Sequence, residues 1–168
     1  MQIKIKKNFS IKKSSKPLII AEISGNHSGK KSLFLKHIKA AAKNGADMIK
    51  IQTYEPKDIT LKNKNQNFKI KSGTWKGKYL WDLYKKTHTP FSWHKDAFKL
   101  AKKLKLILFS SPFSKRAVDL LEKFNVPLYK VASFEITDLE LIDYIAKKRK
   151  PIILSTGMAT LKEIKRAI

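Results

Sequence analysis

In the segment Lys130-Val131-Ala132-Ser133-Phe134-Glu135, a lysine, a hydroxyl and a carboxylate lie close together where a short buried strand should end. The apolar residues 126–129 lead into this segment, and a helix start follows it. In proteins that alternate strands with helices, ligands bind at the carboxyl ends of the strands. The segment therefore predicts one strand end of a β/α protein, with polar side chains where a ligand would bind.

Four further segments have the same form, an apolar run that ends in polar residues. Helical patterns, with apolar residues three and four positions apart, separate these runs. The near-continuous apolar runs are typical of strands that are buried on both faces of a parallel sheet. The predicted strands are residues 18–23, 48–52, 106–110, 128–131 and 151–154.

Capping residues mark the starts of the predicted helices. Serine and threonine accept hydrogen bonds from the first free backbone N–H groups of a helix, and a glutamate three positions later completes a capping box. Proline is also favoured in the first turn. The predicted N-caps are Ser32, Thr89 (followed by Pro90), Ser114, Thr137 (with Glu140) and Thr160 (with Glu163).

Two regions depart from the β/α alternation. Residues 2–16 alternate apolar and basic side chains, which predicts a small hairpin with its turn near Lys7-Asn8. Residues 54–87 lack a regular pattern, although a short helix is expected near residues 80–84, and they contain several aromatic side chains. A connection of this length inside a compact domain is usually functional, so we expect a lid or a binding loop.

The strict alternation admits two architectures, a doubly wound sheet or part of a (β/α)8 barrel. Gly25 and Gly29 in the first strand-to-helix turn do not fit the G-x-G-x-x-G spacing, which argues against a dinucleotide-binding fold. We divide the chain into a hairpin at residues 1–16 and a β/α domain at residues 17–168.

Composition narrows the function classes. The chain contains no cysteine, which excludes disulfides, thiolate metal sites and a cysteine nucleophile. The formal net charge of +24 invites a nucleic-acid-binding hypothesis, but only three of the 37 basic residues are arginine, the residue that phosphate and base readers favour. No apolar stretch resembles a signal peptide or a membrane span, so we expect a cytoplasmic protein with neither nucleic acid nor membrane as a partner.

Every predicted strand ends in polar side chains, and the carboxyl ends of parallel strands lie at the same edge of the sheet, which we call the rim. Lysines and carboxylates buried there without partners would be costly. A bound polyanion would compensate Lys50 and Lys130, and the hydroxyls would donate to phosphate or carboxylate oxygens. The rim residues are Glu22, Asn26 and His27; Lys50, Gln52 and Thr53; Ser110 and Ser111; Lys130, Ser133 and Glu135; Ser155 and Thr156.

Five motifs in this order resemble those of the nonulosonic (sialic) acid synthases. The resemblance extends from Pro17 to the end of the chain, and the segment from Gly73 through Trp81 to Pro90 is most similar to the pseudaminic acid synthase branch. The motifs are Ala21-Glu22-Ile23-Ser24-Gly25-Asn26-His27-Ser28-Gly29, Ile49-Lys50-Ile51-Gln52-Thr53-Tyr54, Phe109-Ser110-Ser111-Pro112-Phe113, Tyr129-Lys130-Val131-Ala132-Ser133-Phe134-Glu135-Ile136 and Leu154-Ser155-Thr156-Gly157-Met158.

The resemblance implies an incomplete (β/α)8 TIM barrel of about five β/α units. It also implies condensation of phosphoenolpyruvate with an open-chain acetamido sugar, a 2,4-diacetamido-2,4,6-trideoxy hexose, with release of phosphate, for cell-surface glycan biosynthesis. N-acetylneuraminate or legionaminate synthase activity is the alternative within the family. A basic nucleic-acid-binding domain and an inactive truncated product are the alternatives outside this activity.

Site roles follow from the resemblance position by position. Glu22, Lys50 and Lys130 are the expected catalytic residues, with Glu22 handling a proton or orienting water. The expected phosphoenolpyruvate ligands are Lys50, Ser111, Lys130 and Ser133, and Ser155 lines the floor. Gln52 and Glu135 are expected to face the sugar, and Thr53 and Asn26 complete the predicted substrate-binding set.

The resemblance also implies parts that this sequence does not contain. A divalent metal, manganese or magnesium, is expected in the family, with ligands from barrel strands beyond residue 168. The remaining barrel units and an antifreeze-like carboxy-terminal domain are absent too, so a homodimer is expected only for a full-length form. We expect His37 and His94 to be surface or packing residues, not substitute metal ligands.

Overall fold

The computed structural model describes residues 2–6, 9–12 and 16–168. An antiparallel hairpin, β1 (Gln2–Lys6) and β2 (Phe9–Lys12), opens the chain. The turn predicted at Lys7-Asn8 lies outside the described residues. Ile5 is buried and packs into a hydrophobic cluster of the main domain, so the hairpin is attached to that domain by an apolar contact.

Five parallel strands form the main sheet, and they are ordered as in the sequence. A doubly wound sheet would reverse its strand order partway, whereas sequential order is that of a (β/α)8 barrel. The predicted parallel, sequential arrangement is therefore confirmed. The strands are β3 (Ile20–Glu22), β4 (Met48–Thr53), β5 (Ile107–Pro112), β6 (Tyr129–Val131) and β7 (Ile152–Leu154).

Helices occupy every connection between these strands, because a parallel pair requires a crossover. None of the helices in the described ranges is long and apolar enough to cross a membrane. Two short 3₁₀ turns, Gln66–Phe68 and Ser133–Thr137, accompany them. The helices are α1 (Lys31–Lys43), α2 (Pro56–Ile59), α3 (Leu80–Thr87), α4 (Phe91–Lys103), α5 (Lys115–Glu122), α6 (Leu139–Ala146) and α7 (Leu161–Ala167).

Two apolar clusters hold the helices against the sheet. Alternate residues of a strand face opposite sides, so Ile49 and Ile51 of β4 share the face that packs against α1 and α4. Phe34 and Ile38, one turn apart on α1, are fully buried in this cluster. The second cluster joins β5 and β6 to α5 and α6, and Leu121 is fully buried there.

Two of the five predicted caps are confirmed. The Ser114 and Thr160 side chains accept hydrogen bonds from the backbone N–H groups of Ala117 and Glu163, and the second of these caps is a complete capping box. Both are short polar side chains at an extended residue directly before the helix, which is the arrangement that allows capping.

The other three predicted caps are wrong. Lys30 is the extended residue before α1, so Ser32 lies inside the first turn. Thr89 is fully buried and Pro90 is the residue before α4. The 3₁₀ turn Ser133–Thr137 takes up Thr137, and Asp138 caps α6 instead through its bond from the Leu141 N–H.

Candidate functional site

The register between β3 and β4 places a carboxylate beside a lysine at the strand ends. Glu22 pairs with Lys50 across the ladder, so their side chains project to the same face, and the Lys50 ammonium forms an ion pair with the Glu22 carboxylate. On the next ladder Gln52 pairs with Ser111. Since Lys50 and Gln52 are two residues apart on one strand, all four side chains lie on the face opposite the α1 and α4 helices.

Lys130 extends this face on β6. Its ammonium donates to the Ser155 hydroxyl at 2.5 Å and to the Val131 carbonyl at 2.6 Å. Burial lowers the pKa of Lys130, and the nearby positive charge of Lys50 lowers it further, while Glu135 and Glu22 oppose the shift. The β5–β6 register pairs Ser110 with Tyr129 and so places Ser111 beside Lys130, which puts both lysines on the same face of the sheet.

Two buried polar atoms at this rim have no hydrogen-bond partner among the described residues. They are the Ser111 hydroxyl and one carboxylate oxygen of Glu135. Burial raises the pKa of Glu135, and the neighbouring Asp138 raises it further, against the lowering effects of a backbone N–H and Lys130. Because buried polar groups are almost always paired in folded proteins, these two atoms point to a ligand.

Ser24 connects the first loop to the strand ends, a role that the sequence analysis missed. Its backbone N–H donates to Glu22 at 3.0 Å, and its hydroxyl donates to the amide oxygen of Gln52 at 3.1 Å. Ser24 has a positive φ of 49°, a strained conformation for a serine. The polar loop composition was the only signal for it, and that signal does not distinguish Ser24 from its neighbours.

A cleft of about 780 Å³ opens beside these groups. Its polar lining includes the predicted site residues Asn26, Gln52 and Glu135. Its apolar lining is largely aromatic and comes mostly from residues 54–87, the connection expected to form a lid or a binding loop. The apolar lining residues are Tyr54, Ile59, Trp75, Leu83, Tyr84, Phe113 and Phe134.

Thr53 does not belong to this cleft, so its prediction as a substrate-binding residue is wrong. Its side chain is fully buried on the helix side of the sheet, where the hydroxyl lies 2.8 Å from His94 Nε2 and 2.6 Å from the Ser110 hydroxyl. Gln52 and Thr53 are adjacent on β4 and must face opposite sides.

Comparison with known proteins identifies the chain. The profile of the NeuB family matches residues 37–168. The chain belongs to the NeuB family. It is 48% identical to the pseudaminic acid synthase of Helicobacter pylori over 152 residues, which are 90% of this chain and 45% of that protein. It is 39% identical to the N,N'-diacetyllegionaminic acid synthase of Campylobacter jejuni, over 91% of this chain and 46% of that protein.

A solved structure of the N-acetylneuraminic acid synthetase from Leptospira borgpetersenii, in complex with citrate, confirms the barrel-type fold. It matches with a TM-score of 0.84 and 26% identity, over 99% of this chain and 53% of that chain. The present chain spans about half the length of the relatives it matches, and its five strands correspond to part of such a barrel.

The remaining predicted residues of this NeuB-family site lie at the rim. Asn26 lines the cleft, but its amide donates to the Ile23 carbonyl at 2.9 Å and so stabilises the loop itself. Ser133 begins the 3₁₀ turn after β6 and lies near Gly157. Ser155 is the hydroxyl that accepts from Lys130.

His27 has a structural role in this NeuB-family chain. It is fully buried with edge-on contacts to Phe34 and Trp93, and its Nδ1 accepts from the Gly29 N–H at 3.1 Å. Burial lowers its pKa, helped by the charges of His88 and His37. Because Nδ1 of the neutral ring accepts a hydrogen bond, the proton lies on Nε2, which donates to the Thr89 hydroxyl at 3.3 Å.

The metal expected for the family does not fit the residues described here. His27 and His94 have both ring nitrogens engaged, and Glu22 is paired with Lys50. The part of the chain that the structure describes contains no group of three or more histidine or carboxylate side chains that could hold a metal ion. A manganese or magnesium ion bound by residues outside this chain stays a prediction.

Gly25 holds the first loop against the end of α3, which gives a testable prediction. A Cβ at Gly25 would lie 2.7 Å from the Thr87 Cβ and 3.0 Å from the Thr87 carbonyl oxygen. Gly25→Ala should therefore push the loop away from the cleft, and this overpacking should destabilise the fold by about 1–3 kcal/mol.

Gly157→Ala is the matched control, since its Cβ would meet the Ser133 hydroxyl only at 3.9 Å. Chemical denaturation of both variants checks the prediction. Equal free energies of unfolding for the two variants would show that the loop does not depend on the close approach of Gly25 to Thr87.

Proposed function

We propose that this chain carries the phosphoenolpyruvate site and much of the acceptor-sugar site of a pseudaminic acid synthase. The observation that supports the proposal best is the placement of Lys50 and Lys130 on one face of the sheet beside the unpartnered Ser111 hydroxyl, at the carboxyl ends of parallel strands. The 48% identity to a pseudaminic acid synthase, against 39% to a legionaminic acid synthase, favours this sugar.

In the proposed complex, Lys50 and Lys130 bind the phosphate and carboxylate of phosphoenolpyruvate, and Ser111, Ser133 and Ser155 donate to its oxygens. A dianionic phosphate would compete with Glu22 for the Lys50 ammonium. Binding would thus loosen the Glu22–Lys50 ion pair and leave Glu22 available to act on water. Fixed positive charges also reduce the cost of bringing two polar substrates together.

The proposed reaction forms one carbon–carbon bond, and at C2 of phosphoenolpyruvate it replaces the carbon–oxygen bond to phosphate with one to the oxygen of water, whose two protons are lost as the ketone forms. The methylene carbon of phosphoenolpyruvate attacks the aldehyde carbon of the open-chain sugar, and the aldehyde oxygen gains a proton. Water adds to the resulting cationic centre, with Glu22 accepting its proton. The tetrahedral product then expels inorganic phosphate and leaves the 2-keto acid. Gln52 and Glu135 face the sugar in this arrangement.

We also propose that the full-length synthase is a homodimer and is located in the cytoplasm.

Activity in a completed barrel tests the proposal. This chain would replace the corresponding half of the Helicobacter pylori pseudaminic acid synthase, to which it is 48% identical. We expect manganese-dependent phosphate release with the 2,4-diacetamido-2,4,6-trideoxy hexose of the pseudaminic branch, and at least tenfold lower kcat/KM with N-acetylmannosamine. Preference for N-acetylmannosamine or for the legionaminate precursor would assign the chain to another branch. No turnover by a folded chimaera would refute the proposal.

A further inference from the structure

A small hairpin inside the long connection reaches the cleft. Residues 69–79, which we call the arm, bring Lys69 and Tyr79 together in an antiparallel bridge. The Ile70 N–H donates to the Lys78 carbonyl at 2.9 Å, and the Gly77 N–H donates back to the Ile70 carbonyl at 2.8 Å. The arm is therefore an ordered element with its own backbone pairing, placed directly before α3.

The tip of the arm carries Trp75. Two turn bonds shape the tip, from the Lys76 N–H to the Gly73 carbonyl and from the Lys78 N–H to the Trp75 carbonyl, each at 3.1 Å. Gly73 and Gly77 have positive φ values of 77° and 85°, which glycine adopts without strain. The tight turn thus depends on these glycines and fixes the position of the indole.

The Trp75 side chain lines the cleft while 42% of its surface is exposed. The Lys78 ammonium lies 4.8 Å from the centre of its ring, a cation–π contact that helps to hold the ring. Exposing a large aromatic ring is unfavourable, and an exposed ring beside a polar cleft is typical of a binding surface.

The cleft combines polar and aromatic side chains, which defines the ligand that fits. Gln52, Glu135 and Asn26 present amide and carboxylate groups to the cleft. Trp75 lines the cleft together with Tyr84 and Phe134, and Phe134 is 75% exposed. A complementary ligand has hydroxyl or amide groups together with apolar substituents.

We propose that Trp75 is a specificity-determining residue that packs against the methyl groups of the acceptor sugar. The inference rests on the proposed function. A 2,4-diacetamido-2,4,6-trideoxy hexose carries two acetamido methyls and a C6 methyl, whereas N-acetylmannosamine carries one acetamido methyl and a C6 hydroxyl. Burial of each additional methyl is worth a factor of about four in affinity, so two of them give about tenfold or more.

The test compares Trp75→Ala and Trp75→Phe with Trp81→Ala in the 168-residue chain. Trp81 is a suitable control because it lies nearby in the first turn of α3 but lines a different cavity. Binding of the diacetamido-trideoxy hexose, of N-acetylmannosamine and of phosphoenolpyruvate would be measured for each variant by calorimetric titration.

We expect Trp75→Ala to weaken the diacetamido sugar about tenfold or more and N-acetylmannosamine less than threefold. Trp75→Phe should restore most of the loss, and neither Trp81→Ala nor the Trp75 variants should change phosphoenolpyruvate binding. An equal loss for both sugars, or no loss for either, would overturn the role of Trp75 while leaving the proposed function standing. If the unchanged chain binds phosphoenolpyruvate but neither sugar, the acceptor site and this inference both fail. If it binds none of the three ligands, the proposed function fails as well.

Discussion

Phosphoenolpyruvate should bind about a hundredfold more weakly or worse when Lys130 is changed to methionine, while the fold stays intact. The Lys130 ammonium is half-buried, and hydrogen bonds to a charged group in such a place contribute about 1.5–3 kcal/mol each. Methionine keeps most of the apolar stem but removes the charge. Removing the Lys130 charge also removes its repulsion from Lys50, so we expect little change in the free energy of unfolding.

Lys147→Met is the matched control. It removes the same charge from a side chain that is 70% exposed and that pairs with Asp143 one helical turn away. Calorimetric titration with phosphoenolpyruvate and thermal unfolding would be run on both variants. If the protein bound anions only through its overall charge of +24, Lys130→Met would reduce the affinity for phosphoenolpyruvate as little as Lys147→Met does.

Acid should destabilise the fold through His94, by about 3 kcal/mol between pH 7 and pH 4. Burial lowers the pKa of His94 to about 4, from 6.5 in an unfolded chain, although the Pro90 carbonyl opposes the shift. Below pH 6.5 the unfolded chain therefore binds a proton that the folded chain does not, so stability falls as the pH decreases towards 4. The lowered pKa of His27 acts in the same direction, and the raised pKa of Glu135 acts against it.

His94→Gln tests this prediction, because glutamine does not titrate and can still accept from Thr53. Urea denaturation of both proteins from pH 7 to pH 4.5 should show a shallower loss of stability in the variant. Parallel curves would mean that another group controls the acid response.

The strands could be predicted from the sequence because burial on both faces leaves a strong pattern. The apolar run around Ile49 and Ile51 is a strand within one residue of its predicted end. Successive residues of a strand face opposite sides of the sheet, so the sequence also predicts that Gln52 and Thr53 lie on different faces. Thr53 was misassigned because a polar side chain at a strand end was counted without regard to which face it occupies.

Other features depend on contacts between distant segments, which one sequence does not encode locally. The Glu22–Lys50 ion pair requires the β3–β4 register, and the role of Ser24 requires a positive φ at a residue that rarely adopts one. The cap at Asp138 depends on the 3₁₀ turn before it. The arm and Trp75 could be placed in a predicted loop but not against the cleft.

A crystal structure of the chain with bound phosphoenolpyruvate tests the central claim most directly. We predict the phosphate and carboxylate within hydrogen-bonding distance of Lys50 and Lys130, with the Ser111 hydroxyl donating to the ligand and the methylene carbon facing the cleft that contains Gln52 and Glu135. Phosphoenolpyruvate bound only at exposed lysines, with the Glu22–Lys50 ion pair undisturbed and Ser111 still without a partner, would contradict the account.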